Sequence, residues 1–371
     1  MGNSWIMHPG YYIKEEMDAR GWIQRDLAFI LGIPEQGLNM ILSGKRGISP
    51  DMAKALGKAF NVPPEFFANL QQAYDLANAR EPNSEIEVLG KMHANYPLRE
   101  MINRGWLQKT DAALLEEQLV RFFDVSCVAD IPYMPHAAKK SSYEEREIPP
   151  AQLAWLFRVR QIAKAISVPK YSEQGLREAI AQMQPLMLEP EGARDVPRLL
   201  MECGVKFILV EKLQNAKIDG VCFWIDGTPV VGMSTQRDTI DNFWFVLRHE
   251  LEHVLRGHGQ TAEMIDDDIQ AERADNAAIP MDEAVANAAA LEFCVTSKFD
   301  SFLMRKHPFY YERDVIAFCR VVNRHPGIIV GQMQRRTKNY KYLTRHLAKV
   351  RQFVLPGAIA DGWGQVLPIS L

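Results

Sequence analysis

His249-Glu250-Leu251-Glu252-His253 constrains this chain more than any other stretch. Two histidines four residues apart share a surface only on a helix, and there Glu250 stands beside them. The apolar runs Phe243-Trp244-Phe245-Val246-Leu247 and Val254-Leu255 on either side require that helix to be buried, with Gly257 and Gly259 available to end it. Neutral imidazole binds zinc at about 2.1 Å, and a catalytic zinc keeps three protein ligands and a water. Zinc lowers the pKa of that water toward about 7, and a neighbouring carboxylate can take its proton as it attacks a carbonyl. The five residues therefore imply His249 and His253 as metal ligands and Glu250 as general base. They specify a reaction type and leave the substrate open.

An ordinary helix with two solvated histidines would match the same spacing, so a third ligand has to separate the two readings. Residues 282–291 read as a helix of small residues that can pack closely, and Glu283 stands four before Asn287. A carboxylate ligand with an amide one turn later, placed to orient it or the first histidine, is an arrangement metal sites use. Glu283 is the expected third ligand and Asn287 its expected support. The alternative is that Glu283 only favours the helix N-terminus electrostatically. Glu292 is the fallback, nine residues on and on another face.

Residues 204–210, 219–225 and 228–233 read as strands, with Asp226-Gly227 as a two-residue hairpin turn. A small sheet followed by the histidine helix is an α+β core. The segments "GVKFILVEK", "DGVCFWIDGTPVVGMS", "FVLRHELEHVL" and "EAVANAAA" resemble the ImmA/IrrE metallopeptidase domain over about residues 195 to 300. That resemblance implies a gluzincin-like fold and a Zn²⁺ cofactor, with His249, His253 and Glu283 as ligands and Glu250 as base. Family members are usually coupled to a DNA-binding repressor. Two positions depart from the family pattern, Glu252 where Gly is frequent and Val285 where a second Glu is common.

The N-terminal segment reads differently. Short amphipathic helices over 11–20, 23–31 and 35–42, with Gly32-Ile33-Pro34 between the second and third, are the signature of a helix-turn-helix unit, and residues 51–60 and 64–79 supply two helices behind it. Glu35, Gln36 and Asn39 share the surface of the third helix, where Gln and Asn can read adenine and Glu can accept from cytosine. Gln24, Lys45 and Arg46 are the expected phosphate contacts. Charge does not advertise DNA, since residues 1–80 hold eight Lys plus Arg and eight Asp plus Glu. The stretch from "HPGYYIKEEMDARGW" to "FFANLQQAYDL" resembles HigA-type antitoxins of the Xre helix-turn-helix superfamily. This implies operator DNA as a partner, a homodimer on it, and a cognate toxin.

Arg104-Gly105-Trp106-Leu107-Gln108 echoes Arg20-Gly21-Trp22-Ile23-Gln24, so residues 96–123 read as a degenerate second helix-turn-helix serving as spacer or dimerisation module. Residues 131–150 are charged and marked by proline. Near the C-terminus, His325-Pro326-Gly327-Ile328 resembles a stretch that follows the peptidase core in long antitoxin-peptidase fusions, which makes His325 a candidate to stabilise an oxyanion; a His before Pro is otherwise a turn residue. Arg335, Arg336, Lys338, Lys341, Arg345, Lys349 and Arg351 suggest a basic face.

At 371 residues, 47% hydrophobic and 24% charged, the chain holds material for several cores, and a net charge of −3 argues against a diffuse nucleic-acid coat. Five scattered cysteines fit reduced thiols of a cytoplasmic protein, and no apolar run is long enough to span a membrane. The expected organisation is multidomain: an all-α helix-turn-helix domain (1–80), a helical linker (81–150), an α+β gluzincin-like metallopeptidase domain (151–310) and a C-terminal helical and irregular extension (311–371). Two functions follow. One is a DNA-binding regulator carrying a working zinc peptidase that cleaves itself or a protein substrate. The other is a non-catalytic antitoxin and autorepressor whose peptidase-like domain senses or binds a partner.

Overall fold

In the computed structural model, which describes residues 6–128, 131, 149–260, 264–266 and 281–368, the chain divides into two units, Met1–Ile86 and Glu87–Leu371. The first is all helical: α1 (Pro9–Ala19), α2 (Gln24–Leu31), α3 (Glu35–Leu42), α4 (Pro50–Phe60) and α5 (Pro64–Ala77). Ile13, Leu27, Leu38, Leu56, Phe60 and Phe67 close its core. Gly32 ends α2 at φ +66, a left-handed conformation that glycine takes without steric cost, and the Ile33 N–H folds back to the Ala28 carbonyl. That turn sets α3 across α2. Ser49 caps α4 by accepting from the Met52 N–H.

The second unit runs through α6 (Glu85–Asn95), α7 (Leu98–Asn103), α8 (Ala112–Phe123), α9 (Pro150–Ala165), α10 (Glu173–Leu186) and α11 (Val196–Glu202) to β1 (Lys206–Val210), β2 (Gly220–Ile225) and β3 (Thr228–Met233). There follow α12 (Ile240–Leu255), β4 (Met264–Asp266), α13 (Met281–Val295), α14 (Lys298–Lys306), α15 (Glu312–Val322), α16 (Pro326–Thr337), α17 (Arg351–Val354) and β5 (Ile359–Asp361). The five strands form one mixed sheet in the order β4-β2-β3-β1-β5. β2 and β3 make the expected hairpin, with Ile225 opposite Thr228 and positive φ at both Asp226 and Gly227. β1 lies parallel to both β3 and β5.

Both faces of the sheet are covered, and the alternation along β1 shows it. Phe207 and Leu209 join a core with α10, α11, α12, α13 and α16, whereas Ile208 and Val210 join another with α8 and α9. Residues 96–123, read from sequence as a spacer or dimerisation module, are part of this second core: Met101, Trp106, Leu119, Phe122 and Phe123 pack with Trp155, Val159, Val221 and Phe223. The echo between Arg20-Gly21-Trp22 and Arg104-Gly105-Trp106 is a local one. In each, the Trp N–H bonds back five residues and the Arg guanidinium lies 5.8 Å from the Trp ring.

The C-terminal residues are likewise woven in. α16 packs on α12 and β5 completes an edge of the sheet. The expected basic face is broken up: Arg335 turns inward over the Phe245 ring, Arg345 pairs with Glu312, and Arg351 donates to the Thr235 carbonyl at 2.7 Å. Most of the proline-marked segment, residues 132–148, lies outside the described residues. Among the described residues no helix is long and apolar enough to cross a membrane.

Candidate metal centre

α12 is buried nearly all round, packed against β2, β3, α13 and α16, so most of its polar side chains are held away from bulk water. His249, Glu250 and His253 are fully buried. The first turn of α13 brings Glu283 to them, buried as well. His249 Nε2 lies 3.1 Å from His253 Nε2, Glu283 Oε2 lies 3.5 Å from His249 Nε2, and Glu283 Oε1 lies 3.6 Å from His253 Nε2. A tetrahedral zinc with bonds of about 2.0–2.1 Å puts its ligand atoms about 3.3 Å apart. Two neutral imidazoles and a carboxylate at these separations fit such an ion, and they are a donor set zinc accepts.

Glu250 points toward β2, where Gly220 leaves room for it: a Cβ at residue 220 would lie 2.0 Å from Glu250 Oε1. Glu252 is turned away from the three ligand atoms. Its carboxylate accepts from Arg248 at 2.7 Å and Arg256 at 2.8 Å, one turn before and after. Burial pushes this carboxyl up, but the two guanidinium groups outweigh it and hold it below the usual range. Val285 is half-buried, and Glu292 is exposed. Asn287 stands a turn after Glu283 with its Oδ1 buried and without a hydrogen-bond partner among the described residues.

His325 does not join this group. It is the N-cap of α16, its Nδ1 accepting the Gly327 N–H at 3.0 Å while its own N–H bonds to the Met187 carbonyl. Burial lowers its pKa, which keeps the ring neutral and able to accept. Sequence reasoning missed His258, whose Nδ1 lies 2.9 Å from His253 Nδ1. The signal was Gly257, whose helix-ending turn folds the next residue back over the last turn.

On the helix-turn-helix surface Gln36 and Asn39 are exposed on α3, and Lys45 and Arg46 are exposed just beyond it. Gln24, expected on phosphate, donates to the Glu35 carbonyl at 3.0 Å and ties the start of α2 to α3. The Glu35 carboxylate lies 3.8 Å from Arg25. Gly37 within α3 faces open space.

Residues 13–67 match the helix-turn-helix family profile. Over 75 residues the chain is 44% identical to virulence-associated protein A′ of Dichelobacter nodosus, a match covering 20% of this chain and 65% of that protein. It is 32% identical over 73 residues to the uncharacterized HTH-type transcriptional regulator YddM of Escherichia coli strain K12, covering 20% of this chain and 78% of the regulator. The chain belongs to the helix-turn-helix family. The matched stretch begins at Ile13 on α1 and ends at Phe67 on α5, two residues of one core. An addiction module antidote protein of a HigA family from Coxiella burnetii is 32% identical, with 24% of this chain and 92% of that chain covered and a TM-score of 0.19. The chain spans 65% of the length of virulence-associated protein A′.

Proposed function

We propose that this helix-turn-helix protein is a DNA-binding transcriptional regulator of the antitoxin type whose second unit carries a zinc-dependent peptidase site. The observation that carries the enzymatic half is the convergence of His249, His253 and Glu283, from two helices, at the separations a tetrahedral ion requires. Zinc bound there would supply Lewis-acid activation of water and of the scissile carbonyl. The two Nε2 atoms and the Glu283 carboxylate would hold the ion. Glu250, the residue after the first ligand, would take a proton from the attacking water and pass it to the leaving amine, with Gly220 leaving room for its carboxyl. The dry wall formed by α12 and the sheet keeps bulk water from competing for these groups.

The DNA-binding half rests on family membership and on the exposed amides of α3. Gln36 and Asn39 would read base edges, and Lys45 and Arg46 would sit on phosphates. A two-fold pairing of chains on a two-fold operator, and a toxin or substrate protein as partner, belong to the same reading.

Two assays test it with one variant. Denatured casein incubated with zinc-loaded protein should be cleaved by wild type and left intact by Glu250→Gln, which keeps all three ligands. Both proteins should enrich the same duplexes from a random DNA library. Casein untouched by wild type would leave a DNA-binding sensor without turnover, and no enrichment by either protein would refute the regulator.

A further inference from the structure

We infer that His258 is a positioning residue for the metal ligand His253, through a relay that runs from His253 Nδ1 to His258 and on to Asp282. The inference rests on the zinc reading above and goes beyond its three ligands and base.

The backbone builds the relay. α12 ends with Gly257 at φ +70; its N–H bonds to the Val254 carbonyl at 3.0 Å, and the His258 N–H bonds to the His253 carbonyl at 2.9 Å. This pair of bonds is the Schellman ending, in which the third residue past the helix packs over the third from its end. An apolar contact commonly fills that place. Here two imidazoles fill it, with ring centroids 5.2 Å apart. The turn is anchored to the sheet: Trp224 Nε1 donates to the His258 carbonyl at 2.8 Å, and Gly259 lies so close to β2 that a Cβ would come within 2.6 Å of the Cys222 carbonyl oxygen.

Proton positions then follow in order. His253 turns Nε2 toward His249 and Glu283, so a ring that binds a cation there carries its proton on Nδ1. That N–H donates to His258 Nδ1 at 2.9 Å, which puts the proton of a neutral His258 on Nε2. His258 Nε2 lies 3.5 Å from Asp282 Oδ1 and faces that exposed carboxylate. Asp282 is the neighbour of Glu283 on α13, so the relay ties the helix of the two histidines to the helix of the third ligand. Metal-binding histidines ordinarily give their second N–H to an acceptor that fixes tautomer and ring orientation. His258 is that acceptor here.

The test combines ¹⁵N-histidine NMR of the full chain, with and without zinc, and zinc affinity by competition with a chromophoric chelator. His258→Asn offers an amide oxygen where Nδ1 now sits; His258→Phe keeps the bulk and removes the acceptor. In zinc-free wild type, His253 should be the Nδ1–H tautomer and His258 the Nε2–H tautomer. Zinc affinity should fall about 10- to 100-fold in His258→Phe and stay within a few-fold of wild type in His258→Asn. Asp282→Ala, at an exposed position, should weaken affinity several-fold with the fold intact, and it serves if the Phe variant does not fold. Wild-type affinity in both His258→Phe and Asp282→Ala, or His253 found as the Nε2–H tautomer in the zinc-free protein, would overturn the relay. A wild type that takes up no zinc would refute the metal reading alone, and the tautomers of the zinc-free protein would still decide the relay.

Discussion

Gly220 on β2 is the wall against which the Glu250 carboxyl rests, so close that a single methyl group at residue 220 would lie 2.0 Å from Glu250 Oε1. The obstacle is the end of a flexible side chain, so Gly220→Ala should displace the carboxyl rather than unfold the protein. Overpacking of this kind costs about 1–3 kcal/mol. Zinc content should stay at the wild-type level while casein cleavage drops by at least an order of magnitude. A variant with full activity would show that Glu250 does not need this space.

Glu252 tests the ligand assignment from the other side. It stands one residue from His253, but Arg248 and Arg256 hold it away from the three ligand atoms. Glu252→Gln should therefore retain zinc as wild type does, at a small cost in stability, whereas Glu283→Gln should lose most of its zinc. Equal losses in both variants would mean that Glu252 belongs to the site.

What could be read from the sequence follows from how local each feature is. The pair His249 and His253, the hairpin at Asp226-Gly227 and the turn at Gly32 each depend on a few neighbouring residues, and each was legible. Glu283 could be picked out because it opens a helix of small residues. The covering of the second sheet face by α8 and α9 could not, since Phe122 and Trp155 on an apolar helix face look alike whether they meet a neighbouring helix or a sheet. β5 is three residues long and carries no periodic signal, and its place beside β1 is set by a contact about 150 residues away in sequence. Arg335 read as part of a basic face because its residue type says nothing of the Phe245 ring beneath it.

A pH dependence follows from the cap of α16. His325 accepts the Gly327 N–H as a neutral ring, and burial, the largest influence, together with His346 lowers its pKa below 6.5 against the opposing pull of Glu189 and Glu191. The unfolded chain therefore takes up the proton first as pH falls. The stabilisation is present above about pH 6.5 and is lost as pH drops from there through the folded-state value. Urea unfolding at pH 7.5 and 5.5 should show a loss in wild type that is smaller in His325→Asn, where an amide caps without titrating. An identical pH slope in both proteins would remove His325 from the account.

At the far side of the sheet, Asp361 on β5 gathers the second core: it accepts from Trp106 Nε1 at 3.0 Å and from Arg158 Nε at 2.8 Å, and Arg158 also donates to the Leu367 carbonyl at 2.7 Å. Arg158 and Asp361 are both almost wholly buried. Asp361→Ala would strand a buried guanidinium, a loss of about 3–5 kcal/mol. Asp361→Asn, which keeps an acceptor for Trp106, should cost less. Chemical denaturation of the two variants checks the order, and equal stabilities would contradict it.

The most direct test of the zinc site is metal content per chain, measured by elemental analysis of protein prepared without chelator, beside Glu283→Ala. The geometry of His249, His253 and Glu283 predicts about one zinc per wild-type chain and far less in the variant. A folded wild type without zinc, or a Glu283→Ala variant that keeps it, would contradict the account.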